Sequence, residues 1–131
     1  MHIDSYPQYI QRATNAKLDL TGTGATVLYT APATVDFSVV TSIIVSEDSG
    51  NADTITLTLT NGSDVFSLYK VSAVSANGTV DLLSRDLVLQ PSEILKATAA
   101  TGNRLHVVAS VQEFVRSVSG KIGRASCRER V

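Results

Sequence analysis

Few side chains in this sequence can carry chemistry, and their spacing decides against most of it. Acyl transfer needs a nucleophile with a base in hydrogen-bond reach. Histidine, the commonest base, occurs only at His2 and His106. His106 lies between Leu105 and Val107 in an alternating run, so it reads as an ordinary histidine on a strand face. Ser67-Leu68-Tyr69-Lys70 has the Ser-x-x-Lys spacing of penicillin-binding enzymes, where a helical turn brings the two side chains together. In an extended strand, residues three apart point to opposite faces and lie about 10 Å apart, so the match is empty. Asp48-Ser49-Gly50-Asn51-Ala52-Asp53 offers hard oxygen ligands but lacks the spacing and terminal glutamate of a calcium loop, and reads as a solvated turn. Thr21-Gly22-Thr23-Gly24 is too short for a dinucleotide fingerprint, and there is no Gly-Lys-Ser/Thr phosphate loop. The 12 acidic residues single out no pair for glycoside hydrolysis. Asn61-Gly62-Ser63 and Asn77-Gly78-Thr79 match the glycosylation sequon but read as turns. Cys127 is the only cysteine, which excludes an intrachain disulfide and thiolate zinc sites. The expectation is a protein that is not an enzyme, with no catalytic residue, cofactor or metal.

The elements are easier to read than the chemistry. In Thr54-Ile55-Thr56-Leu57-Thr58-Leu59-Thr60, apolar and polar residues alternate strictly, the mark of a half-buried strand with three apolar side chains inward and four threonines outward. β-Branched threonine favours the extended backbone in its own right. Arg104–Phe114 places Leu105, Val107, Ala109 and Val111 on one face and His106, Val108, Ser110 and Gln112 on the other. Glu113 and Phe114 reverse that phase, which predicts a bulge or the strand end there. Further strands are expected at Ala25–Thr30, Asp36–Ser46, Val65–Val74, Thr79–Leu83, Leu87–Gln90 and Ile94–Ala99, with a weaker one at Lys17–Leu20. Asn61-Gly62, Asn77-Gly78 and Gly102-Asn103 supply residues that tolerate positive φ in the turns between them. Pro91-Ser92 should stop the strand at Gln90. Strand spacing of about 8–12 residues, with no long amphipathic helix between, predicts an all-β antiparallel sandwich or jelly roll of about eight strands. Tyr6–Ala16 is the one helical alternative.

A chain of 131 residues supports one core. The expected division is an N-terminal arm over 1–24 with a short helix or strand, a β-sandwich over 25–116, and a disordered or artefactual basic tail over 117–131. From Lys121 on there are four basic residues against Glu129 alone, and the stretch resembles translated adapter sequence at the ends of unrelated environmental reading frames. Taking those away from the 11 basic and 12 acidic residues of the chain leaves seven and eleven, an acidic body. With no basic stripe, nucleic acid is not an expected partner. Neither a secretory n-region and apolar stretch nor a run of about 18 apolar residues occurs, so no membrane partner is expected. Charged residues make up only 18% of the chain, well below the roughly 25% of ordinary soluble domains, and a weakly charged surface suits subunit contacts.

Taken in order, the strands resemble a recurrent type of small bacteriophage virion protein. The carrying segments are Ala25–Ala33, Val40–Val45, Thr54–Thr60 with its Asn61-Gly62 turn, Ser67–Lys70, Val80–Leu83, Leu87–Lys96 and Leu105–Phe114. Pro91-Ser92-Glu93 departs from the pattern, where a glycine-aspartate turn is more usual. The resemblance implies a non-enzymatic β-sandwich module that attaches to a capsid, neck or tail as a decoration or accessory protein. It implies localisation to the virion and, as partners, copies of itself in a trimer or ring together with other virion proteins. Thr54, Thr56, Thr58 and Thr60 then form a candidate subunit-contact face, flat and uncharged. The alternative is a carbohydrate- or receptor-binding module of a tail fibre, which the absence of Trp and the scarcity of aromatics disfavour.

Overall fold

A computed structural model describes residues 9–116, which form nine strands in two antiparallel sheets. They are β1 (Tyr9–Leu20), β2 (Thr26–Thr30), β3 (Phe37–Glu47), β4 (Asp53–Thr60), β5 (Val65–Val74), β6 (Thr79–Asp81), β7 (Leu87–Leu89), β8 (Ile94–Ala99) and β9 (Leu105–Arg116). The first sheet runs β1-β9-β3-β6, with β7 also on β3; the second runs β2-β8-β4-β5. β7 pairs with Ser38–Val40 and β6 with Ile44–Ser46, so the two short strands share one side of β3. Counted as one interrupted strand, they leave eight positions, four to a sheet. The pairings β1–β9, β2–β8, β3–β6/β7 and β4–β5 nest about the β4–β5 turn, and the folded ribbon is rolled so that β9 also meets β3 and β8 also meets β4. This is a double-sheet jelly roll, as the strand count and spacing predict.

The core follows the alternation. Ile55 and Leu57 of β4, Leu95 and Ala97 of β8, and Ile43 and Val45 of β3 are buried with Leu105, Val107, Ala109 and Val111 of β9. Each large side chain of this kind stabilises the fold by about 1.5–3 kcal/mol relative to exposure. Turn residues adopt the dihedrals their chemistry allows: Gly62 at φ 103°, Asn77 at 54° and Asn103 at 65°.

Two expectations are corrected. The helical alternative does not form over the described residues, because Tyr9–Leu20 is extended and pairs with β9 along its whole length; the strand expected at Lys17–Leu20 is present and begins at Tyr9. No bulge interrupts β9 at Glu113; the strand continues to Arg116, and Glu113 keeps the inward phase of Val111. The irregularity in this pairing lies instead on β3, between Val40 and Ser42. The segment 117–131, with Cys127, and the start of the chain with His2 lie outside the described residues. Among the described residues, no helix is long and apolar enough to cross a membrane.

Candidate functional site

Of the four threonines expected to face outward together, three do so. Thr54, Thr56 and Thr58 lie on the outer face of the second sheet, half-buried, with Lys96 and Thr98 beside them on β8 and Ser67 and Ala73 on β5. Thr60 is buried, and its Oγ1 accepts the Gly62 N–H at 3.0 Å, so it serves the turn and presents nothing outward. The Thr56 hydroxyl is also engaged, accepting the Val71 N–H at 3.0 Å where β5 departs from regular pairing. The stripe is uncharged but only half accessible.

A more apolar surface lies on the other side of the molecule. On the outer face of the first sheet, Phe37 and Phe114 stand on paired positions of β3 and β9 with their rings stacked at 4.8 Å, and Tyr9 of β1 meets both edge-on. The same face carries Val39 paired with Val88, and Ile44 paired with Val108. Val88 is 57% exposed and Ile44 41%. The outer face of an isolated sandwich is ordinarily polar, and the exposed apolar side chains of this surface are interspersed with Lys17 opposite Val108, Asp81 opposite Ile44, and the His106–Asp19 pair. Sequence reasoning missed it because residues 9, 37 and 114 meet only through the pairing of β1, β9 and β3. A shallow depression of about 250 Å³ is lined by Ala13, Thr14, Asn15, Thr41, Ser110, Val111 and Gln112, which include no acid, base or thiol.

The sheet edges differ in how they are protected. β5 is irregular at two places, carries Lys70, and holds Val71 at φ 52°, a strained dihedral for a β-branched residue; these features bend an edge away from a partner. β2 is five residues long with an irregular register, and β6 and β7 are three residues each. β1 is long and regular, with twelve residues in unbroken register.

Two buried carboxylates hold the sandwich together. Glu113 lies between the sheets, where Arg12 Nη2 and the Tyr29 hydroxyl donate to its two oxygens at 2.6 and 2.5 Å, and Ser38 Oγ lies 3.0 Å from the same hydroxyl. Burial pushes the Tyr29 hydroxyl from 10.0 up to about 12, and its bond to Glu113 acts in the same direction. Desolvation pushes Glu113 upward, but the bonds from Tyr29 and Arg12 and the Arg12 charge outweigh it and leave the carboxyl below its ordinary value. Near the opposite end, Glu47 accepts the Ser49 hydroxyl and the N–H groups of Ser49, Gly50 and Asn77, tying the β3–β4 turn to the β5–β6 turn. Desolvation again opposes ionisation, and these bonds override it, holding the Glu47 carboxyl down at about 2. Neither carboxylate sits with a nucleophile in an open cleft. His106 is on the outer face, 3.4 Å from Asp19. Asp53 accepts the N–H groups of Thr54 and Thr101, which ties the start of β4 to the turn between β8 and β9. Among the described residues, no three His, Cys, Asp or Glu side chains gather as a metal site would require.

No protein-family model and no curated protein matches the sequence. The fold has counterparts among solved structures. A chain from Bacillus endospore appendages, described as disulfide-linked pili, matches with a TM-score of 0.55 at 8% identity, over 88% of this chain and 96% of that one. A chain from the acidic stable capsid of Helicobacter pylori bacteriophage KHP30 matches with a TM-score of 0.51 at 13% identity, over 86% and 95%. A chain of infectious bursal disease virus, Gx strain, gives 0.51 at 10% identity over 87% of this chain and 34% of that one. At these identities the likeness is one of fold. The class defined is the all-β jelly roll.

Proposed function

We propose that this chain is a non-enzymatic structural protein of a bacteriophage particle, a jelly-roll module that associates with copies of itself and seats on the capsid, neck or tail. The observation that carries the reading is the outer face of the first sheet, which bears Tyr9, Phe37, Phe114, Ile44, Val88 and Val108 as partly or largely exposed apolar side chains among its polar and charged ones. A fold of this kind in a phage capsid supports the same reading. The uncharged Thr54, Thr56 and Thr58 on the opposite sheet supply a second, weaker contact face.

A filament subunit is favoured by the likeness to the endospore appendage chain. Against it, a chain with one cysteine can be disulfide-linked to a single neighbour, which yields pairs and not a disulfide-linked filament. A glycan-binding module is favoured by the three gathered rings, but Phe37 and Phe114 stack on each other and each occupies a ring face that a sugar would need.

Light scattering coupled to size-exclusion chromatography, followed by negative-stain imaging, tests the proposal. The expected result is a discrete closed oligomer at tens of micromolar. A strict monomer at every concentration would overturn it, extended filaments would favour the appendage reading, and a specific hit on a glycan array would favour the receptor reading.

A further inference from the structure

We propose that β1 is an exchangeable strand, so that in the assembled protein it pairs with β9 of a second copy of this chain. The inference rests on the self-association reading and names its mode. Among the described residues, the side-chain bonds of β1 all end on β9. Gln11 Nε2 donates to Gln112 Oε1 at 2.6 Å and Arg12 Nη2 to Glu113 Oε1 at 2.6 Å; Ser110 Oγ donates to Asn15 Oδ1 at 3.3 Å, and His106 pairs with Asp19. The backbone ladder matches all twelve residues of β1 to β9 without a shift. Beyond β9, only the second half of this strand is held: Tyr9–Asn15 are exposed, while Ala16 and Leu18 pack against the core and Leu20 is buried in it. What binds β1 is therefore the edge of β9 together with the core beneath Ala16, Leu18 and Leu20, and that site is unchanged whether the strand comes from the same chain or another.

The connection to β2 is built to open. Thr21–Ala25 is exposed throughout, and a Cβ added to Gly22 or Gly24 would meet nothing within 4 Å. Neither glycine is among the residues at positive φ. Neither crowding nor dihedral demands glycine at these positions, and what glycine adds there is backbone freedom. Immediately before the hinge the chain is fixed. The Asn103 N–H donates to the Leu20 carbonyl at 2.9 Å, and Gly102 packs so closely on the Thr21 carbonyl that no other residue fits. A clamped strand followed by a free two-glycine link permits exchange with every β1–β9 bond preserved, and subunits held together in a particle supply the local concentration that favours it.

Disulfide trapping reads the mode directly. Ala16 lies opposite Ala109, and Lys17 opposite Val108. Successive antiparallel pairs alternate between hydrogen-bonded and non-hydrogen-bonded geometry, so one of the two pairs has the close spacing that suits a disulfide. In a Cys127→Ser background, Ala16→Cys with Ala109→Cys, and separately Lys17→Cys with Val108→Cys, are prepared as mixtures of light and isotopically heavy chains refolded together. After oxidation of the oligomer, mass spectrometry of the linked peptides should find mixed heavy–light species, and lengthening the loop after Thr23 should shift the link back within single chains. An oligomer whose links lie wholly within one chain would overturn the exchange and leave self-assembly standing. A monomer with in-chain links would overturn both. Free thiols in both pairs would overturn the register on which the exchange depends.

Discussion

The Tyr29 hydroxyl of the second sheet stands 2.5 Å from Glu113 Oε2 of the first, and this bond crosses the interior between residues 84 apart in sequence. A buried carboxylate is costly unless its lone pairs are met, and here Tyr29 and Arg12 meet both oxygens. Arg12 is largely exposed, so its pairing is screened by water, whereas Tyr29 is buried. Tyr29→Phe should therefore destabilise the fold by about 1–3 kcal/mol, because it leaves a buried oxygen without its donor. Arg12→Ala should cost less than Tyr29→Phe. Urea denaturation of both variants gives the order, and the reverse order would make the Arg12 ion pair within the first sheet, rather than the Tyr29 bond between the sheets, the main support of the Glu113 carboxylate.

Acid should weaken the protein through the same groups. Glu47 and Glu113 both ionise more readily folded than unfolded, Glu47 at about 2 against an ordinary 4.5. Carboxyls of this kind contribute stability that is fully present above the unfolded value and lost as pH falls through the folded one. The melting temperature should be level above about pH 5 and decline steadily from there toward pH 2. Glu47→Gln should flatten that decline. At the alkaline end the sign reverses for Tyr29, which is kept protonated to about 12, so its contribution is lost as pH rises from 10 toward that value. Thermal melts across the pH range check both limbs.

Three glycines near the β1–β2 link should respond differently to the same substitution. A Cβ on Gly102 would lie 2.4 Å from the Thr21 carbonyl oxygen and 3.1 Å from its carbon, and backbone cannot step aside cheaply. Gly102→Ala should destabilise by about 1–3 kcal/mol. Gly22→Ala and Gly24→Ala meet open space and should be neutral or stabilising by about 0.4–1 kcal/mol, through a less flexible unfolded chain. Chemical denaturation of the three variants separates crowding from flexibility.

The sequence makes some of this legible, and physics explains where it stops. Ile55 and Leu57 declare an inner face because period-two burial is a local property, and Asn77 and Asn103 declare turns because few other residues tolerate their dihedrals. β1 was legible only at its end, since Tyr9–Asn15 is uncovered on both faces and so has no reason to alternate. Glu113 looked like a break in phase because its partner Tyr29 lies far upstream, and a carboxylate without a visible partner reads as an outward residue. Thr60 continues the threonine pattern perfectly and is nonetheless buried, because the following turn folds over it and uses its hydroxyl. The aromatic group on the first sheet depends on a pairing between strands at opposite ends of the chain.

Which outer face carries the subunit contact can be decided by placing charge on each in turn. Val88 is exposed on the first sheet opposite Val39, so Val88→Asp should change stability by only about 0.5 kcal/mol, whereas Ile44→Asp sets a like charge opposite Asp81 and should cost about 1 kcal/mol. A charge buried without a partner at an interface is far more costly, so the same changes should break contacts made through that face and reduce the oligomer to what β1 exchange alone holds. Thr54→Asp and Thr58→Asp place an equal charge on the second sheet, and there the oligomer should survive. Thr56 is unsuitable for the comparison, since its hydroxyl holds the Val71 N–H and its loss would disturb β5. Light scattering on the four variants, with melting curves to exclude unfolding, gives the answer. Dissociation by the threonine changes alone would return the contact to Thr54 and Thr58 and remove the first-sheet face from the account.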